Sequence, residues 1–520
     1  MPNDLSSQDL KTSAPAASAP ASASAATDPL ATAFLQAQLA CRREDWAGAI
    51  GQFEAAIAQC KQRLQTKTDQ TVPSVVSSAV PSAVPSAVSS KAISASAQAD
   101  AEIYKAKGDL FKSQGQLAQA ADAYQEAIAL NPTCSEAQIA LGEIYVSEAQ
   151  ARRQVGDVSS TVAAYLQALK QHPLLPVAYN RLRYNLMRYD IPQGDPLLVQ
   201  IAEVCRHVLE QHPNMLQPRI TLGYALTRLG QSAEAIACYR KMGDRLARRQ
   251  LNAQQGDQTI APGSTVSLGQ PARPSFMIIG AEKCGTTSLY QYLRKHPSVL
   301  TPIEKEIDFF DAEYEQGIDW YLSHFPPIPT ASQQPIWITG ETSANYLYDD
   351  AAPARVFEHF PSLQLAVILR HPIDRTESRY NMMVRNGTEK RSFDVAVREE
   401  IALIEAAATE DDIPWSVLNR CRHVGNSLYF YHLRRWLALF PRQQLMVLRS
   451  EDLFAQPAET LSQLYQAFGV SDHPEQTYPK HNSGQYQPAD SEIRRVLADF
   501  FKPHTQKLEA LLTQSFNWDL

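Results

Sequence analysis

Tyr104, Gly108, Ala120, Tyr124, Ala127 and Pro132 stand at the offsets of a helix-turn-helix unit about 34 residues long, and a chain built from such units has few ways to fold. Small Gly and Ala residues at fixed positions let two paired helices approach closely, and the large Tyr fills the gap to the next pair. No unit buries its apolar face alone. A second unit carries Leu141, Gly142 and Tyr145, then Gly156, Tyr165, Ala168 and Pro173 after about seven extra residues near its turn. A weaker third ends at Pro213, and a fourth shows Leu222, Gly223, Ala225, Gly230, Ala235 and Tyr239. Upstream, Ala49, Phe53 and Ala56 after Trp46 imply one more.

The set of residues in 101–132 resembles a tetratricopeptide repeat; an ordinary helical bundle with accidental small-residue spacing is the plain alternative. The resemblance implies an α-solenoid over 101–250, preceded by one helical hairpin at 29–62, and a concave face suited to a protein or peptide partner. Two low-complexity stretches flank that hairpin. The Ala/Ser/Pro-rich tail at 1–28 and the insert at 63–100, with its tandem Val80–Ala83 and Val84–Ala87, have little charge and are expected to be disordered.

After a Gln-, Gly-, Ser- and Pro-containing linker at 251–272 the pattern changes. Short apolar runs at Phe276–Ile279, Ile336–Ile338, Leu365–Leu369 and Leu445–Leu448 alternate with helical patterns at 286–296, 376–385 and 426–440. That alternation predicts an α/β domain with a parallel sheet over 273–520. The expected fold class is therefore α followed by α/β.

The first buried strand runs into Gly280-Ala281-Glu282-Lys283-Cys284-Gly285-Thr286-Thr287-Ser288 and then a helix with Leu289, Tyr292 and Leu293 facing inward. Strand, glycine loop and helix start form an anion cradle: backbone N–H groups point outward at the positive end of the helix dipole, glycines allow close approach, Lys283 supplies charge and the hydroxyls donate. The order is not the Walker pattern, because Lys283 precedes Gly285, and no strand-end Asp offers a magnesium ligand, so an ATP or GTP hydrolase is the weaker reading. A bare strand-to-helix turn with a surface lysine is the plain alternative. The strand Leu365–Leu369 delivers Arg370 at its end, with Ser378 eight positions on. Ligands of α/β sheets gather at such strand ends, where Arg grips phosphate bidentately and Ser donates a hydrogen bond; the alternative is a surface ion pair and a solvated serine.

This pair of loops resembles those of sulfotransferases that use 3′-phosphoadenosine 5′-phosphosulfate (PAPS). The resemblance covers about 273–520 and implies P-loop-like α/β architecture. It implies that Lys283, Cys284, Gly285, Thr286, Thr287 and Ser288 hold the 5′ end of the nucleotide and that Arg370 and Ser378 hold its 3′-phosphate. Lys305–Asp311, Gly317–Tyr321 and Phe325-Pro326 look like the heparan sulfate type, which implies Glu306 as catalytic base, Lys283 as the cation on the leaving side and a carbohydrate hydroxyl or amine as acceptor. Glu304 and Asp308 are the other candidate bases. Thr342 stands where many relatives have Lys, which weighs against a polyanionic glycosaminoglycan. Lys480, His481 and Gly484 resemble the late loop that closes over the nucleotide, and no metal is expected. The rival in another class is a scaffold whose α/β domain binds nucleotide without turnover.

The 48 Lys and Arg against 55 Asp and Glu leave a net charge of -7, which gives no global reason to expect nucleic acid or an anionic membrane as partner. The apolar runs fall far short of the roughly 20 residues needed to cross a bilayer. The opening residues carry no basic segment leading into an apolar one, so the expectation is a cytoplasmic chain. Seven scattered cysteines suggest reduced thiols, with Cys284 as packing in its loop.

Overall fold

The computed structural model describes residues 95–154, 158–188, 191–254, 268–329, 337–481 and 489–520. The tail at 1–28, the hairpin at 29–62, most of the insert, Gly156, positions 255–267 of the linker, Ile336 and Gly484 lie outside the described residues. The chain falls into two compact units, one ending at Ile144 and the other beginning at Tyr145.

In the first unit, α1 (Ala95–Ser113) and α2 (Leu117–Leu130) pair, and α3 (Ser135–Gln154) begins. Tyr124 is fully buried, and a Cβ at Gly108 would lie 2.6 Å from its ring, so the glycine is what lets the ring in. The Tyr124 hydroxyl donates to Asp109 at 2.7 Å, which satisfies the polar end of a buried aromatic. Helix α1 starts at Ala95, inside the expected insert.

The second unit continues with α4 (Val158–Gln171), α5 (Pro176–Arg188), α6 (Pro196–Gln211), α7 (Leu216–Arg228) and α8 (Ser232–Gln254). Proline occupies the first position of α5 and α6, where its missing N–H costs nothing, and the Asp195 side chain accepts from Leu197 N to cap α6. The small-against-large device recurs where a Cβ at Gly223 would lie 2.3 Å from the buried Tyr239 ring. Helix α8 runs past the expected boundary at 250, because Leu251 packs with Leu300 and Trp337.

The α/β region opens with β1 (Leu268–Pro271), which lies inside the segment expected as linker, and β2 (Phe276–Gly280), α9 (Thr286–Leu293), β3 (Val299–Leu300), α10 (Ile318–Leu322) and β4 (Pro327–Pro329) follow. Next come β5 (Ile338–Thr342), α11 (Ala352–His359), β6 (Gln364–Leu369), α12 (Pro372–Arg385), α13 (Phe393–Ala407) and α14 (Trp415–Arg420). The chain closes with α15 (Tyr429–Leu437), β7 (Leu445–Arg449), α16 (Ser450–Ala455), α17 (Pro457–Ala467) and α18 (Ser491–Leu512). Among the described residues the main sheet has strand order β3-β5-β2-β6-β7, and every pairing in it is parallel. Strands β1 and β4 form a separate antiparallel pair.

Strands β2 and β6 are wholly or almost wholly buried, as their continuous apolar runs require in a sheet covered on both faces. They are also neighbours, with Phe276 opposite Gln364. The two loops singled out in the sequence therefore leave adjacent parallel strands at the same end of the sheet. Strand β5 begins two residues later than the expected run at Ile336, because its inner half is Gly340-Glu341-Thr342, buried but not apolar. Among the described residues no helix is long and apolar enough to cross a membrane.

Candidate functional site

The loop after β2 is shaped by two left-handed residues, Lys283 (φ 70°) and Gly285 (φ 103°), and Gly285 caps the start of α9. A Cβ at Gly285 would combine that unfavourable backbone with a 3.1 Å approach to the Phe454 ring, so glycine suits this position on two counts. The first N–H groups of α9 have no acceptor within the helix, and together with its dipole they favour an anion. Lys283 donates from Nζ to Met382 Sδ at 3.4 Å, a weak partner for an ammonium. Burial pulls its pKa below the ordinary lysine value; Glu282 opposes this, and Arg385, Arg375 and Arg370 add to the lowering. A negatively charged ligand would relieve both effects.

Glu282, beside it, is committed elsewhere. Burial alone would raise its carboxyl, but the Arg379 and Arg375 guanidiniums outweigh that and hold it below the usual range. Fully buried Arg375 also donates to the carbonyls of Arg422 and His423, which ties the glycine loop to the segment before α15. Cys284 and Ser288 face inward: burial pushes the Cys284 thiol up to about 11, and Ser288 Oγ accepts from His481 N at 3.0 Å. The late loop is thereby fastened to α9, a tie repeated where the Tyr292 hydroxyl donates to the Pro479 carbonyl at 3.0 Å. Lys480 Nζ lies 4.4 Å above the Phe454 ring.

The loop after β6 is held by Tyr429, whose hydroxyl donates to the Arg370 carbonyl at 2.9 Å, and by Glu451, which accepts from His371 N at 2.8 Å. The Arg370 guanidinium stands 3.9 Å from Asp374, a loose pair that leaves it partly exposed. Ser378 follows on α12. Lys283, Gly285, Thr286, Thr287, Arg370, Ser378, Lys480, His481 and Glu306 all line one cleft of about 780 Å³.

A third segment, Lys305–Phe310, carries the remaining candidates. Glu306 (φ 62°) and Asp308 (φ 52°) are both left-handed, a costly conformation for residues with a Cβ. They are held there by Glu306 N donating to the Thr342 carbonyl at 3.1 Å and Asp308 N donating to Ser343 Oγ at 3.2 Å. Thr342 is fully buried, and among the described residues its hydroxyl has no hydrogen-bond partner. The Glu306 carboxylate is half-exposed and paired with Lys305.

Beneath this segment lies a group that sequence reasoning passed over. Glu341 on β5 is fully buried and accepts from Tyr321 Oη at 2.6 Å, Ser343 Oγ at 3.0 Å and Tyr346 Oη at 3.2 Å. Tyr346 Oη in turn accepts from Phe309 N at 2.9 Å, so the network reaches the backbone of the candidate base loop. Burial pushes the Glu341 carboxyl up to about 7, with the three hydroxyls and Asp308 as smaller influences. The available signal was an acidic residue inside a strand, close to Ser and Tyr residues able to satisfy it.

Glu306 and Lys305 also line a second cavity of about 740 Å³ on the other side, together with Tyr184 and Asn345, which border both spaces. Among the described residues no group of three or more His, Cys, Asp or Glu is placed to hold a metal ion.

Comparison with known proteins agrees with this arrangement. The sulfotransferase domain family matches residues 273–488, and tetratricopeptide repeat families match 108–147 and 217–241. The membrane-associated sulfotransferase kil1 of Dictyostelium discoideum is 26% identical over 314 residues, which span 47% of this chain and 66% of that protein. The bifunctional heparan sulfate N-deacetylase/N-sulfotransferase 3 of Homo sapiens is 30% identical over 268 residues, covering 46% of this chain and 30% of its own. The chain thus spans from 30% to 66% of the length of these relatives. A solved sulfotransferase from Alicyclobacillus acidocaldarius is 26% identical over 47% of this chain and 98% of its own, with a TM-score of 0.37. Residues 273–488 thus match the sulfotransferase domain family, on a chain whose preceding helices match tetratricopeptide repeats.

Proposed function

We propose that the chain transfers the sulfuryl group of PAPS to a hydroxyl or amino group of a carbohydrate acceptor, without a metal. One observation carries the reading: Lys305 and Glu306 sit on the border of two cavities, one lined by the cationic strand-end loops and the other free of them. Nucleotide occupies the first, with its 5′ end at the glycine loop and its 3′-phosphate at Arg370 and Ser378, and acceptor enters from the second. Glu306 takes the proton from the attacking oxygen or nitrogen as that atom bonds to sulfur. The bond from sulfur to the 5′-phosphate oxygen breaks, and Lys283 neutralises the charge that arrives on that oxygen. The co-product is adenosine 3′,5′-bisphosphate. The carbohydrate acceptor follows from relatives named as heparan sulfate N-sulfotransferases.

Calorimetric titration of the full chain with adenosine 3′,5′-bisphosphate and with ATP, in the absence of metal, tests the nucleotide site. The bisphosphate should bind about tenfold or more tightly than ATP, and Arg370→Ala should remove most of that preference. Preference for ATP with magnesium would overturn the reading. Glu306→Gln should keep bisphosphate affinity while losing transfer, whereas loss of both would mean that Glu306 serves the fold and not the chemistry.

A further inference from the structure

The second cavity is not built by the sulfotransferase domain alone. Helix α5 turns Asn180, Arg183, Tyr184 and Met187 toward it, the i, i+3, i+4, i+7 face of one helix, and α7 adds Tyr224. Arg183 is buried and donates from Nε to Glu304 at 2.7 Å. It is braced from behind by Gln217 and Asn180, each accepting at 2.7 Å. Glu304 immediately precedes Lys305 and Glu306, so the repeat helix holds the segment that carries the candidate base.

The lining is also rich in acid. Asp308, Asp311 and Asp349 belong to it; burial, then Asp308 and Asp349, push the Asp311 carboxyl up to about 8, so Asp311 itself adds little charge near neutral pH. Of the cations on the lining, Arg183 pairs with Glu304 and Lys305 with Glu306, while Arg422 is exposed and donates to the neutral side chain of Asn419 at 2.8 Å. A chain of carboxylates or sulfates brought into this cavity would meet a lining whose carboxylates outnumber its three cations, Arg183, Lys305 and Arg422.

We propose that the repeat helices form one wall of the acceptor site, and that this joint cavity selects an amine-bearing or uncharged polyhydroxyl acceptor over a polyanionic one. The inference rests on the sulfotransferase reading. The i, i+3, i+4, i+7 face of α5 touches acceptor, and Asp349 faces its amine or hydroxyl groups.

The test uses the full chain saturated with adenosine 3′,5′-bisphosphate and titrated with two probes: a glucosamine tetramer, and a tetramer of alternating glucuronate and N-acetylglucosamine. The glucosamine tetramer should bind about tenfold or more tightly. Asn180→Ala, on an exposed position, Met187→Ala and Asp349→Asn should each weaken it about threefold or more while bisphosphate affinity stays unchanged. Asp349→Asn keeps the side-chain oxygen that accepts from Ala351 N and Ala352 N at the start of α11, so it leaves that cap in place. Tighter binding of the glucuronate tetramer, no binding of the glucosamine tetramer at millimolar concentration, or indifference to the two α5 substitutions would overturn the inference. Failure of the wild-type chain to bind the bisphosphate would instead defeat the sulfotransferase reading beneath it.

Discussion

Lys283, Glu306 and Asp308 are three of the five non-glycine residues with a left-handed backbone among those described. Each such residue costs about 1–3 kcal/mol, and concentration of that cost on the loops that carry the candidate chemistry argues that their side-chain directions matter more than local stability. Glu306→Gly makes the argument testable, because glycine takes φ 62° without a Cβ penalty and leaves the bond from its N–H to Thr342 in place. The variant should unfold at the same or higher urea concentration than wild type, by up to about 1 kcal/mol; clear destabilisation would show that the carboxylate serves the fold. Gly285→Ala should do the opposite. It adds a left-handed alanine and a close contact with Phe454, and should lower stability by about 1–3 kcal/mol with loss of bisphosphate affinity. A variant with wild-type stability and affinity would show that the loop tolerates a side chain there. Lys283 and Arg370 were legible in the sequence, since each follows an apolar run, Phe276–Ile279 and Leu365–Leu369. The backbone conformations of Glu306 and Asp308 were not, because their positive φ goes with hydrogen bonds to Thr342 and Ser343, distant in sequence.

Strand β5 shows what an element-level reading misses. Apolar patterning located β2, β6 and β7 to within a residue; for β2 and β6 the reason is that a parallel strand buried on both faces is a continuous apolar run. It misplaced β5, whose buried inner half contains Glu341 and Thr342. A buried carboxyl becomes acceptable only through its partners, and Tyr321 and Tyr346 come from other elements. The same circumstance gives the strand a pH signature. Burial holds Glu341 up at about 7, against about 4.3 for an unfolded glutamate. Between those values the folded chain keeps a proton that the unfolded chain has released, so this group's contribution to stability is complete below about pH 4 and is lost as pH rises toward 7. The loss approaches 1.4 kcal/mol per pH unit at most. Denaturation curves at pH 5 and pH 7 should show a drop in wild type that Glu341→Gln makes smaller, since Gln keeps an oxygen for the two phenols while Asp311 and Glu400, also held up by burial, supply the rest. An equal drop in both would place the titrating group elsewhere.

At the scale of the whole unit that begins at Tyr145, the repeat helices and the α/β region share one apolar core. The sequence suggested two bodies joined by a linker, because a change of periodicity marks where one kind of element ends but not whether the two kinds pack together. Packing depends on residues that each half would otherwise leave exposed. Trp320 on α10 is fully buried, donates from Nε1 to Thr227 Oγ1 at 2.9 Å, and meets the Tyr239 ring edge-on at 5.9 Å. Arg228 on α7 reaches Glu313 at 2.7 Å, and Gly243 on α8 packs directly on Phe325 and Pro326. Trp320 thus fills the seam from the sulfotransferase side, while Thr227 and Tyr239 receive it from the repeats. Trp320→Ala removes a buried aromatic and leaves the Thr227 hydroxyl without its donor, a loss of about 3–5 kcal/mol. Because Trp320 ties the two halves together at the seam, calorimetric melting of the variant should split into separate transitions where wild type melts this unit as one. Bisphosphate should then stabilise only the transition that contains the strand-end loops. A single transition shifted to lower temperature and wholly stabilised by bisphosphate would show that the shared core couples the halves without this residue.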